Sequence, residues 1–331
     1  MGVPQYLRKA SLIVYGANNK AINIGDLRFS FAIRRGDIQT PNSADIRIYN
    51  LASDTAHHIQ QISPEPEFSR VVINAGYEGN FGLIFDGEIK QVRRGRSSET
   101  DTYLDITAAD GDSAYNYSVA SMSLAAESTS PANQVEEMIK GMAQYGVTKG
   151  YVPNLSTNPL PRGKAIYGMV KDELRKIAKT TDTSWSIQDA KVNLVPLTAY
   201  MPGEVPVISS ATGMIGLPEQ TQNGINVRVL LNPNIKVGQK VLIDISSLQK
   251  YRYSLSLGGN QQAQNAATEL FNKTSDDGSY YVMIADHHGD TRGNDWYTDL
   301  TCLAVNADVS PGYVTNLPLG EPGITPIKRY G

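Results

Sequence analysis

The residue types best suited to chemistry gather at Asp286-His287-His288-Gly289-Asp290, with Asp295 close behind. Imidazoles and carboxylates at that density can hold a transition metal or pass a proton. Their order argues against both. Neighbouring side chains of an extended segment point to opposite sides, and this segment falls between two strand-like runs, where a polar, solvent-exposed loop is expected. The other two histidines, His57-His58, lie in a short helical stretch and read as surface or subunit-contact residues. A second cluster is acidic: Asp101, Asp105, Asp110 and Asp112. Two carboxylates at the right separation hydrolyse glycosidic bonds, but separation in space is not written in a sequence. Asp105 alternates with Leu104 and Ile106 and so belongs to a wet strand face. Asp110-Gly111-Asp112 reads as a turn, so both of its aspartates are expected to be dispensable for assembly. The chain has no Gly-x-Gly-x-x-Gly, P-loop, His-Glu-x-x-His, Gly-x-Ser-x-Gly or Cys-x-x-Cys. The expectation is a protein with no catalytic residue, cofactor or metal, and not an enzyme.

Composition points the same way. Lys and Arg number 30 against 33 Asp and Glu, a formal charge of −3, without the basic excess of a general nucleic-acid binder. Arg93-Arg94-Gly95-Arg96 is followed by Glu99 and Asp101 and reads as a solvated hairpin end. No run approaches the roughly 20 apolar residues of a membrane span, and no secretion signal is evident, so folding in a reducing cytoplasm and no membrane contact are expected. The single Cys302 shares a strand face with Trp296 and Leu300 and reads as a buried thiol. Tyrosine is abundant, 18 against 6 Phe and 2 Trp, which suits interfaces and wet sheet faces.

The elements that would position these residues are mostly strands. Leu12–Tyr15 opens the series, turned by Asn18-Asn19. Leu27, Phe29, Phe31 and Ile33 then alternate with polar neighbours, and Ile46 and Ile48 share a face within 44–51. Ser53–Ile62 is a short helix with Ala56 and Ile59 inward. Val71–Tyr77, Phe81–Val92 and the run from Thr102 to Ala108 are strands, and Gly87 suggests a bulge. Residues 119–204 read as an α/β module. Ser130-Pro131 starts a helix with Val135, Met138, Ile139 and Met142 inward. A second helix is expected to turn Ile166, Val170, Leu174 and Ile177 inward and Glu173 outward, followed by a hairpin through Asp189-Ala190. Residues 205–305 return to strands, with a short helix at Gln261–Asn272, and residues 306–331 form an extended or disordered tail.

The stretch Gly213–Ile245 organises the third region. Ile225, Val227, Val229 and Leu231 share one face, as do Val241, Ile243 and Ile245, and the two runs are expected to pair as a hairpin closed through Asn232-Pro233-Asn234. That turn and the rigid segment Gly216-Leu217-Pro218 are the candidate subunit contacts. The fold class is mainly β with a smaller α/β module, the β-rich regions 1–118 and 205–305 each forming an antiparallel barrel or strongly curved sheet.

LRFSFAIRRGDIQTPNSADIRIYNLA (27–52), WSIQDAKVNLVP (185–196) and GLPEQTQNGINVRVLLNPNIKVGQKVLID (216–244) resemble segments of baseplate hub proteins from contractile-tailed bacteriophages. The resemblance implies two tail-tube-like β-barrels per chain and a homotrimeric ring that presents pseudo-sixfold symmetry to a hexameric tail tube protein. It implies a central spike protein on the other side, further baseplate partners with the tape measure protein among the candidates, and a lumen that passes DNA without binding it specifically. The location implied is the virion tail baseplate, after synthesis in the host cytoplasm. A tail-associated cell-wall hydrolase using the carboxylates near Asp101–Asp112 and a carbohydrate-binding β-protein stay open as alternatives.

Overall fold

Alternating apolar and polar residues do form strands here, and their edges decide the architecture. The structure, a computed structural model, describes residues 6–16, 20–60, 68–197, 199–221, 224–244 and 278–304, with two short pairs at 314–315 and 327–328. The expected turn at Asn18-Asn19, the helix at Gln261–Asn272 and nearly all of the tail lie outside the described residues.

One sheet runs through β1 (Arg8–Gly16), β2 (Ala21–Asn23), β3 (Phe29–Gly36), β4 (Ser43–Tyr49), β5 (Phe68–Tyr77), β6 (Asn80–Arg96) and β7 (Thr102–Ala109). The same sheet continues into β13 (Val207–Ile208), β14 (Met214–Thr221), β15 (Gly224–Leu230), β16 (Lys240–Ile243), β17 (Ser279–Asp290) and β18 (Trp296–Ala304). Its main path is β14-β15-β18-β17-β3-β4-β7-β6-β5-β1-β2, with β16 beside β17 and β13 beside β16. The two β-rich regions therefore do not make separate closed barrels: among the described residues they share one sheet that does not close on itself.

The reason is a single bulge. Val282 faces Cys302 and Ile284 faces Thr301, leaving Met283 as the extra residue of β17. Before it, β17 offers its other edge to β16 (Tyr281 opposite Lys240); beyond it, Ile284 to Asp290 pair with β3 from Gly36 to Ser30. An edge that a closed barrel would satisfy internally is satisfied by the other region. The same pairing draws residues 286–290 into β17, so the polar loop expected there is a strand.

The strand faces at 225–231 and 241–243 agree with the alternation, but these strands do not pair as a hairpin. β15 lies between β14 (Met214 opposite Val229) and β18, while β16 pairs with β17 and, in parallel, with β13. Residues 232–239 carry the chain from one position to the other. Gly87 is likewise in register with Val71; the extra residues of β6 are Ile84 and Lys90. Glycine is required at 87 because a Cβ would sit 2.6 Å from the Phe85 ring and 2.8 Å from the carbonyl oxygen of Ala109.

A shell of helices covers a second core. α1 (Ser53–Gln60) packs Ala56 and Ile59 onto the first β-rich region. α2 (Asp112–Tyr117) follows Gly111, then β8 (Val119–Leu124), α3 (Pro131–Ala143), β9 (Thr148–Lys149), β10 (Lys164–Met169), α4 (Val170–Thr180), β11 (Thr183–Gln188) and β12 (Lys191–Pro196). Ser130 caps α3 by accepting from the Asn133 amide, with Pro131 in the first turn. Ile166 is buried on β10 rather than on a helix, because Gly168 (φ 149°) interrupts the chain before α4. Glu173 of α4 faces inward, almost fully buried, with its carboxylate 3.7 Å from Lys164 and bonded to Lys176. The three larger clusters of buried apolar residues run from 12 to 108 joined by Leu231 and Trp296, from 114 to 194 around Trp185, and from 208 to 302; a fourth, smaller one joins Ile38, Val195, Tyr281 and Met283 from all three regions.

Gly87→Ala is expected to lower stability in urea unfolding by about 1–3 kcal/mol, because the added methyl forces the Phe85 ring and the β7 backbone apart.

Candidate functional site

The three clusters meet at buried polar groups, which a core tolerates only when each finds a partner. Arg35 continues the inward phase of β3 yet carries a charge, and it is 3 % exposed. Its guanidinium donates to the carbonyl oxygen of Ile84 (3.0 Å) and to Gln188 Oε1 (3.2 Å), and lies 3.0 Å from Asp189 Oδ2. Gln188 Nε2 donates to the carbonyl of Gly36 (2.9 Å), and Asn42 Nδ2 donates to Gln188 Oε1 (2.9 Å) and to the Ile187 carbonyl (3.1 Å). Nearby, the buried Asp37 accepts from Ser184 (2.8 Å) and from the Tyr281 hydroxyl. Residues from all three clusters' regions thus bond to one another.

Asp110 holds the far side. Residues 189 and 190 have φ of 54° and 57°, a left-handed pair that suits a two-residue hairpin turn but strains alanine. Asp110 accepts from both of their amides, Asp189 N at 2.6 Å and Ala190 N at 2.8 Å. Asp110 does sit in a turn, as expected, but its carboxylate also clamps a second, strained turn 79 and 80 residues away. Burial pushes Asp110 up to about 6, against the Ala190 bond and the nearby Arg35. Burial would also raise Asp189, but Arg35 and Lys236 hold it below its ordinary value. Lys236, whose Nζ also donates to the carbonyl of Leu83 (3.0 Å), is lowered by burial and by Arg35.

The residues of the acidic and histidine clusters are held apart by separate partners. Asp105 makes a two-pronged pair with Arg47 (2.7 and 2.8 Å), Asp101 accepts from Asn50 and Ser98, and Asp112 pairs with Lys90. The carboxylates are committed to different partners. His287 is buried with Nδ1 2.8 Å from Thr298 Oγ1, and burial followed by Arg35 and Lys236 lowers it to about 3, which keeps it neutral. His288 is on the opposite face, beside Tyr297. His57 and His58 are exposed on α1. Cys302 is buried, its thiol pushed up to about 12. Among the described residues no group of three His, Cys, Asp or Glu could hold a metal, and no helix is long and apolar enough to cross a membrane.

The wet face of the sheet is a lattice of paired charges. Arg228, Asp299, Asp286 and Arg34 stand opposite one another across β15, β18, β17 and β3. Arg228 binds Asp299 with two bonds and stacks on Tyr297 (4.1 Å); Arg47 does the same with Asp105 and Tyr103 (4.3 Å), and Arg28 with Asp290 and Tyr49 (4.6 Å). The tyrosines serve as platforms for these arginines. Asp286, between Asp299 and Arg34, is raised to about 6 by burial.

The two expected contact segments lie in different settings. Gly216-Leu217-Pro218 forms the irregular part of β14, between Ile215 opposite Arg228 and Glu219 opposite Asn226; Leu217 is 46 % exposed and Pro218 is buried. Among the described residues β14 is an edge strand. Asn232-Pro233-Asn234 instead lies against the β5–β6 turn of its own chain. Asn80 donates to Asn232 (3.0 Å) and accepts from Asn234 (3.1 Å), and Pro233 is buried beside Gly82. Asn234 remains exposed. Of the junction residues, Asp110 and the Asp189-Ala190 turn are visible in the sequence but not as partners; for Arg35, the available signal is a charged residue in the inward phase of a strand, after Ile33.

The fold is that of phage tail proteins. The structure is similar to the 43 kDa tail protein of prophage MuSo2 from Shewanella oneidensis (TM-score 0.54, 7 % identity, covering 90 % of this chain and 97 % of that one). It is equally similar to a tail protein from Neisseria meningitidis MC58 (TM-score 0.54, 11 % identity, 90 % and 96 % covered). At such identities the likeness shows the fold alone. No curated protein matches by sequence. The sequence profile of the family described as baseplate hub gp41 matches residues 25–248, more than half of the chain. The chain belongs to that family, and its role is structural, in the phage tail baseplate.

Two outcomes follow from the junction. Asp110→Ala is expected to cost about 3 kcal/mol in equilibrium unfolding because it orphans two buried amides, whereas Asp112→Ala, losing one surface pair, stays within about 1 kcal/mol. The pH profile isolates the same group. Asp110 is raised in the folded state, so its contribution is fully present below its ordinary value near 3.8 and lost as pH rises to about 6. Asp110→Asn removes that dependence, so its stability deficit relative to the parent is expected to be larger at pH 4 than at pH 7.

Proposed function

We propose that the chain is the hub of a contractile-tail baseplate, three copies forming a ring between a hexameric tail tube and a central spike. The observation that carries this reading is the shared sheet: each chain supplies two β-rich regions locked through the β17–β3 pairing, so three chains offer six such regions. In this reading residues 1–118 and 205–305 are the tube-like units, 119–204 is a peripheral module, and 306–331 is a tail available to a neighbour. The charge lattice, in which Arg28, Arg47 and Arg228 are each held by an aspartate, gives a polar face suited to a lumen past which DNA slides without sequence-specific contact. The tube, spike and other baseplate proteins, with the tape measure protein as a further candidate, are the partners. The protein acts without catalysis and is made in the host cytoplasm before entering the virion.

Gly216-Leu217-Pro218 is the subunit contact in this account; Asn232-Pro233-Asn234 contributes through the exposed Asn234. Light scattering on the purified chain, with and without the tail tube protein, tests the reading: a three-copy mass that binds tube ends is expected, and a monomer that ignores them contradicts it. Leu217→Asp is expected to weaken association while leaving the thermal midpoint nearly unchanged, because the side chain is exposed at an edge.

A further inference from the structure

The open sheet has two ends, and each ends in exposed apolar residues. At the β14 end these are Val205, Val207, Ile215 and Leu217. They belong to one corner: Thr212 Oγ1 donates to the Val207 carbonyl, and the Met214 amide to that of Ser209. At the other end, Tyr6 (59 % exposed), Leu7 (63 %) and Phe81 (39 %) stand together. The Glu78 amide bonds the carbonyls of Tyr6 and Leu7, and Lys9 lies over the Phe81 ring at 5.2 Å.

Both ends also leave backbone edges open. Among the described residues β14 pairs only with β15. β2 covers β1 only from Ile13 to Tyr15, so among the described residues no strand pairs with the outer edge of β1 from Arg8 to Lys9. The charges at the two ends are opposite. Between Met201 and Thr221 the only charged residues are Glu204 and Glu219, both exposed. Arg228, across from Ile215, is held by Asp299. The β1 end carries Arg8 and Lys9, both exposed, beside Glu78; Arg8 also donates to the carbonyls of Gly293 and Asn294. A surface that is apolar and acidic at one end and apolar and basic at the other complements a second copy of itself.

We infer that the β14 end of one chain docks on the β1 end of the next, a head-to-tail contact between copies in which Leu217 and Ile215 meet Tyr6, Leu7 and Phe81 while Glu219 faces Lys9. Contacts between two different surfaces of the same protein close into a ring when the rotation allows, and the opposite charges set the direction of docking. The inference rests on the reading that copies of this chain associate, and it names the surfaces that do so.

Charge exchange tests it on the full chain, with association followed by sedimentation and folding by the thermal midpoint. Lys9→Glu and Glu219→Lys each place like charges in contact and are expected to weaken association by about tenfold or more. The double variant Lys9→Glu/Glu219→Lys restores the attraction with reversed polarity and recovers most of the parent affinity. Thermal midpoints stay close to the parent's, since both residues are exposed. If the parent associates and the single variants associate equally tightly, or the double variant is no better than the singles, the contact lies elsewhere and only this inference falls. A parent that stays monomeric at all concentrations overturns the ring reading as well.

Discussion

Everything else in the structure depends on the handover at Met283. A strand that paired with one neighbour along its whole length would leave the two β-rich regions free to close separately. The bulge lets β17 serve β16 on one side of it and β3 on the other, so each region supplies the edge partner the other lacks. The amide of Asp37 bonds the carbonyl of Met283 itself (2.9 Å), tying the end of β3 to the point where the partner changes.

The buried polar groups beside this handover make it specific. Arg35, Asn42, Asp110, Gln188 and Asp189 bond to one another only when the β11–β12 turn, the end of β7 and the exit of β3 are all in place. An apolar patch could accept many relative placements of the α/β module; a network of directional bonds accepts few, because each misplacement leaves a donor or acceptor unpaired in a low-dielectric interior. The strained left-handed turn at 189–190 follows from the same demand. Its two amides point at Asp110, and the bonds they make offset the unfavourable backbone.

Much of the chain was legible in the sequence. Period-two alternation located the strand faces at 29–33, 44–48, 102–108 and 225–231, and the Ser130-Pro131 start placed α3, because local burial is set by side-chain pattern. What the pattern lacks is partner identity. The runs at 225–231 and 241–245 look like a hairpin because they are neighbours in sequence, yet their edges are taken by β14, β17 and β18. The same gap explains Asp110, whose role depends on amides 79 and 80 residues away. It also explains 286–290, whose polar residues resemble a loop until β3 and β18 supply the pairing. The bulge expected at Gly87 falls instead at Ile84 and Lys90; glycine is needed at 87 because the Phe85 ring and the Ala109 carbonyl leave no room for a Cβ.

The account's central claim is that both β-rich regions form one body through β17 and β3. Hydrogen–deuterium exchange resolved to residues 29–36 and 284–290 tests it directly. If the pairing holds, these amides are protected as strongly as those of the interior strands β4 and β7 and open together with them on unfolding. Fast exchange at both segments while β4 and β7 stay protected would mean that the two regions are separate, and would contradict it.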